Sequence, residues 1–163
     1  MSHRAFEPKN FYDLATHVKN QLFNIIPNEL KQAADRTCIS RIYYAVFLSF
    51  RDKVLTLPIR NAELKRLIER TNDAHAIIAE TIRIIDVDIG DFIVNLRTLR
   101  NFADYETSIA LSPDKVAYAF KIADEIFSKL DMIVSKIKEP DIVLAWNKMQ
   151  RKRQKGRFYF GAT

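Results

Sequence analysis

A chain of 163 residues with three glycines and 48% apolar residues is long enough for one proper core and too poor in glycine for a turn-rich β fold. Its single cysteine, Cys38, excludes an internal disulfide, fits a reducing compartment and is expected as a small buried apolar residue. The net charge of +6 equals the six cations Lys148, Arg151, Lys152, Arg153, Lys155 and Arg157 of the acid-free stretch from Lys148 to Thr163, so the body is balanced and the C-terminal end is basic.

In chain order, Met1-Ser2-His3-Arg4 carries no apolar leader, which predicts a cytoplasmic protein. Asn10 reads as an N-cap, with Asp13 in the first turn. Phe11, Leu14, Val18, Leu22 and Ile25 then recur at helical spacing. Pro27-Asn28 separates this helix from a second, expected from about Glu29 to Leu55. Its middle, Ile42 to Phe50, is apolar almost all round and belongs at the centre of the fold. The same run is broken by Ser49 and is too short to cross a bilayer. Pro58 follows it. Ala62 to Arg70 forms a short helix, and Thr71-Asn72-Asp73 caps the next, Ala74 to Ile85. Asp86 to Asp91 reads as a turn. Phe92 to about Tyr105 is a further helix, with Ile93, Leu96, Leu99, Phe102 and Ala103 inward. Ser112-Pro113-Asp114 is a strong start signal for a last long helix that reaches Ile137 and ends at Pro140.

No segment reads as a strand. The expected architecture is all-α: an antiparallel up-down bundle of five to six helices over residues 1–140, then a basic and aromatic tail over 141–163. In that tail Arg151, Lys152, Arg153 and Arg157 precede Phe158-Tyr159-Phe160. This mixture suits phosphate contact and base stacking, and equally a solvated end or a peptide that docks on a protein.

Polar chemistry concentrates late in the helix before Ser112. Arg97, Arg100, Asn101, Asp104 and Tyr105 fall within about three turns, a set suited to a phosphate ligand. Steps of three and four residues put Arg97, Arg100 and Asp104 on one face. Tyr105 is five residues beyond Arg100, roughly 140° away, and joins them only if the helix ends or bends there, or if a second subunit brings another motif opposite. A plainer reading is an i,i+4 surface ion pair between Arg100 and Asp104. On the earlier helix Arg41 sits in apolar surroundings and needs a partner, either an acid such as Asp104 or a place beside the phosphate site. Tyr43 and Tyr44 read first as core residues with bonded hydroxyls. No metal or cofactor is expected. His3 and His17 have no ligand spacing with Cys38. Asp86, Asp88 and Asp91 approximate a calcium loop, but Arg97 stands where its bidentate glutamate belongs.

The run Arg100-Asn101-Phe102-Ala103-Asp104-Tyr105 resembles the Arg-x-x-Ala-Asp-Tyr form of the HEPN family motif, and Arg41-Ile42-Tyr43-Tyr44-Ala45 resembles that family's Arg-x-Tyr-Tyr-Ala run on an earlier helix. With the helix order between them, the likeness covers roughly residues 10–137. It implies a helical bundle that dimerises with paired motif helices and acts on RNA as a metal-independent endoribonuclease. The setting it implies is a toxin–antitoxin or anti-phage module, with a small nucleotidyltransferase as a possible antitoxin partner. Arg100, Asp104 and Tyr105 would carry catalysis, and Arg97, Asn101, Arg41 and Tyr44 would bind. The chain departs from the nuclease pattern at Tyr105, where that pattern has histidine, and at Thr107, where some members carry an AMP-accepting tyrosine. The alternative is a catalytically silent module that binds a nucleotide or a protein partner through the same residues.

Overall fold

The computed structural model describes residues 6–160, and their side chains as far as Gln154. Every regular element among them is helical. They are α1 (Asn10–His17), a π-helical turn (Val18–Leu22), α2 (Asn28–Leu55), α3 (Ala62–Arg70), α4 (Ala74–Ile85), α5 (Val87–Tyr105), α6 (Pro113–Lys136) and α7 (Glu139–Phe160). No described helix is long and apolar enough to cross a membrane.

The described chain divides into two compact units. The first holds the chain up to Ser49 together with Phe92–Lys129, and the second holds Phe50–Asp91 together with the chain from Leu130. The divisions fall inside α2, α5 and α6. In the first unit the buried side chains include Ala15 of α1, Ile39, Ile42, Tyr43 and Val46 of α2, Ile93, Leu96 and Ala103 of α5, and Val116, Ala119 and Ile122 of α6. They recur at three- and four-residue steps, as an apolar stripe must. Leu99 and Phe102, expected inward, are only half-buried. In the second unit Ile77, Ile78 and Ile82 of α4, Leu64 and Ile68 of α3 and Ile142, Ala145 and Met149 of α7 are enclosed.

Two expectations change. Asp86 to Asp91 is not a turn. Asp86 alone is extended, and α5 begins at Val87 with the Asp86 Oδ1 accepting the N–H of Ile89 at 3.1 Å. Asp86 both stops α4 and caps α5, the stop and new cap that these acids suggest, without a turn between the helices. Gly90 is required here because a Cβ at that position would lie 2.4 Å from the Cβ of Arg83 on α4.

The second change is larger. Residues 139–160 form α7, so there are seven α-helices among the described residues rather than five to six, and the segment from 141 is not an appended tail. Pro140 occupies the first turn of α7, where its missing N–H costs no bond, and the Lys138 N–H donates to the Asp141 carboxylate at 2.9 Å. The Glu139 carboxylate accepts the N–H groups of Arg60 and Asn61, each at 2.9 Å, and these two bonds lower its pKa. Asn61 in turn caps α3 through the N–H of Leu64 at 3.0 Å. α7 packs on α4. Lys148 and Lys152 reach Glu80 at 3.3 and 3.6 Å, and Arg153 pairs with Asp73. Of the cations expected to be free for a ligand, Lys152 and Arg153 are therefore ion-paired. Arg151 is exposed and unpaired among the described residues, and the side chain of Arg157 lies outside the described residues.

Candidate functional site

The two motifs meet in the first unit, one on α2 and one on α5. Arg100 is the centre. Its Nη2 donates to the Tyr44 hydroxyl at 3.1 Å. Its Nη1 faces the Asn101 Oδ1 at 3.1 Å and the Tyr105 hydroxyl at 3.4 Å. Its Nε lies 2.7 Å from the Asp104 Oδ2, close enough for an ion pair but without the alignment of a hydrogen bond. The guanidinium carbon is 5.4 Å from the centre of the Tyr44 ring and 5.3 Å from that of Tyr105. Four side chains thus present oxygen or π density to one cation whose side chain is 19% exposed. Burial pulls the Arg100 pKa down. The Tyr105 hydrogen bond and the Asp104 charge outweigh it, and the net shift is upward. Arg100 remains a cation at every physiological pH.

Tyr105 closes on Arg100 because α5 ends at that residue. The reason is a residue that carries no motif. Arg36, on α2, donates Nη1 to the carbonyls of Phe102 and Ala103 at 3.4 and 2.7 Å. Its Nη2 donates to Glu106 and Ile109 at 3.1 and 2.6 Å. A fixed cation over the last carbonyls of α5, of which that of Phe102 also accepts the Glu106 N–H at 3.0 Å, both caps the helix and offsets the negative end of its dipole. Gln32 fastens the loop that follows, donating to the Leu111 carbonyl at 3.0 Å and accepting its N–H at 2.8 Å. Spacing in the sequence cannot reveal either role, since both partners are backbone groups some seventy residues away.

Arg41 does not pair with Asp104, which is taken by Arg100. The Arg41 guanidinium lies 4.8 Å from the centre of the Phe11 ring and 6.0 Å from that of Tyr44. A half-exposed position and two aromatic faces replace the carboxylate that full burial would demand. Two guanidinium groups therefore share one tyrosine. Arg97, one turn before Arg100, forms no hydrogen bond or ion pair among the described residues. Tyr43 is buried and stacked on Phe47; burial raises its pKa, against the charges of Arg97 and Arg100. It belongs to the core, whereas Tyr44 belongs to the site. Asn101 is exposed, and Tyr105 is 68% exposed.

The fold and the site together define an all-helical protein with an arginine–carboxylate–phenol cluster at the end of α5. No protein-family model matches this chain, and no curated protein or solved structure matches it either. The likeness to the HEPN family rests on the two motifs themselves.

Proposed function

We propose that this chain is a cytoplasmic HEPN-type protein that acts on RNA through the outer face of α5. The observation that carries the reading is the placement of Arg97 and Arg41. Both are cations without a carboxylate partner, and both border the Arg100 cluster. Unpaired guanidinium groups beside phenols suit a phosphate, which their planar forks match. Cleavage without metal would run as follows. Asp104 takes the proton of a ribose 2′-OH, and the 2′ oxygen attacks the adjacent phosphorus. The P–O5′ bond breaks, Tyr105 protonates the departing oxygen, and a 2′,3′-cyclic phosphate and a 5′-OH remain. Arg97 and Arg100 stabilise the charge that builds on the phosphate oxygens.

A second reading, a catalytically silent module that binds a nucleotide or a protein partner, is favoured by a specific observation. Arg100 already faces Asp104, Asn101, Tyr105 and Tyr44. The histidine of the nuclease pattern, whose imidazole exchanges protons near neutrality, is also replaced here by Tyr105. In either reading the family likeness points to a homodimer with facing α5 helices, in a toxin–antitoxin or anti-phage module partnered by a small nucleotidyltransferase.

Structured RNA incubated with the protein in EDTA separates the two. Cleavage that survives chelation and is lost in Arg100→Ala supports the nuclease. Intact RNA, bound by the wild type and at least tenfold more weakly by Arg97→Ala, supports the silent module. Neither cleavage nor binding removes RNA from the reading.

A further inference from the structure

Arg97, Asn101 and Tyr105 stand at i, i+4 and i+8 on α5, a row about 6 Å per step along the helix. The row orders a cation, an amide and an aromatic ring on one side of the helix. Asn101 and Tyr105 are both exposed, and Tyr105 is the most exposed aromatic ring on α5. Arg100 braces both. It faces the Asn101 Oδ1 at 3.1 Å and the Tyr105 hydroxyl at 3.4 Å, and its guanidinium carbon lies 5.3 Å from the Tyr105 ring centre. A large aromatic side chain left in water, held from one side by a fixed cation, is a stacking platform.

We infer that this row takes a single unpaired nucleotide whose base presents carbonyl acceptors, uracil above adenine, with the base on Tyr105 and its phosphate on Arg97. This rests on the RNA reading above and sharpens it. A base inside a duplex has no free face to give to Tyr105, so the substrate is single-stranded RNA or an unpaired loop. The base preference follows from Asn101. Bidentate recognition of adenine by an asparagine needs its carbonyl oxygen to accept from the base and its NH2 to donate. Here the Asn101 oxygen already accepts from the Arg100 guanidinium, and its NH2 has no hydrogen bond among the described residues, which leaves the NH2 to meet a ligand. Such a donor matches a base carbonyl such as the O4 of uracil and leaves the amino group of adenine without an acceptor.

The test is binding of the full chain to fluorescent oligouridylate, to oligoadenylate of the same length and to duplex RNA, with Tyr105→Leu, Tyr105→Phe, Asn101→Ala and Arg97→Ala alongside. Both Asn101 and Tyr105 are exposed, so these variants keep the core, and circular dichroism checks that they do. Oligouridylate is expected to bind about tenfold more tightly than oligoadenylate, and duplex RNA more weakly than either. Tyr105→Leu is expected to lose about tenfold on oligouridylate, Tyr105→Phe to retain its binding, and Asn101→Ala to erase the difference between the two oligomers. Equal affinity for the two oligomers, unchanged in Asn101→Ala but reduced by Arg97→Ala, overturns the base preference and leaves the phosphate site standing. Full affinity in Tyr105→Leu overturns the stacking. Absence of binding to all three RNAs overturns the inference along with the reading beneath it.

Discussion

Buried groups in this protein show how single atoms are matched or left over. The Thr81 hydroxyl, on α4, is fully buried and has no hydrogen-bond partner among the described residues. It was desolvated without return, at a cost of about 1–3 kcal/mol for such a group. Thr81→Val keeps the shape and removes the hydroxyl, and its urea midpoint is expected to rise by the equivalent of about 1 kcal/mol. A destabilised valine variant contradicts the missing bond. Cys38 is enclosed next to the Ala15 carbonyl, and burial, aided by the charge of Asp35, pushes its thiol up from 9.0 to about 11. The hydroxyls of Tyr12 and Tyr43 shift in the same direction, both chiefly through burial. The sign is that of groups kept neutral by folding. Below about pH 8 folded and unfolded thiols both hold their proton and nothing is lost. As pH rises from there the unfolded thiol ionises first, and stability falls until the folded value near 11 is passed. Urea midpoints at about pH 7, 8 and 10.5 should be level between the first two and lower at the third, and a midpoint unchanged at the highest pH contradicts this.

Helix ends, more than helix interiors, set where the site residues fall. Asn61 caps α3 with its own side chain and Pro113 opens α6, and each leaves a trace within four residues of sequence. That is why the starts of α3 and α6 were legible. The end of α5 was expected at about Tyr105 and falls there, but what fixes it was not legible, because Arg36 arrives from α2. Nor was the start of α7, where Pro140 serves as readily inside a first turn as after a last one. The meeting of Arg100 with Tyr44 and Tyr105 was legible only as a condition, that α5 stop at Tyr105, and the physical cause of the stop lay outside the motif. Arg36→Ala is expected to lower stability by about 2 kcal/mol. It should also speed amide exchange across residues 103–111, leaving α4 unaffected. Unchanged exchange at Phe102 to Ile109 shows that the carbonyls do not depend on this guanidinium.

Charge is the property that the whole chain states most plainly, and it is the one the structure redistributes most. The basic C-terminal segment reads as a free polycation, yet Lys148 and Lys152 answer to Glu80 and Arg153 to Asp73. Exposed pairs of this kind contribute little, enough to keep cations occupied and too little to hold a helix. α7 is held by Ile142, Ala145 and Met149, an i, i+3, i+7 series that the sequence carried but that charge composition concealed. Truncation at residue 148 would remove Met149 along with the cations, so single substitutions are the cleaner probe. If α7 contributes to RNA binding, Arg151, which holds no acid, carries more of it than Lys148. Arg151→Gln is expected to reduce the slope of log affinity against log salt by about 0.7, the value of one phosphate contact on a single strand. A slope identical to that of the wild type places the segment outside the nucleic-acid surface.

Each compact unit is assembled from stretches that are far apart along the chain, and three helices supply residues to both. A ribosome making this protein therefore finishes neither half early. The apolar middle of α2 leaves the exit tunnel long before Phe92–Lys129 can cover the first unit, and the second stays incomplete until Met149 has emerged. Vectorial folding, one half closing while the next is translated, is closed to such a topology. Nascent chains will be clients of holding chaperones for most of their synthesis, and neither half can be expressed alone by cutting the gene once.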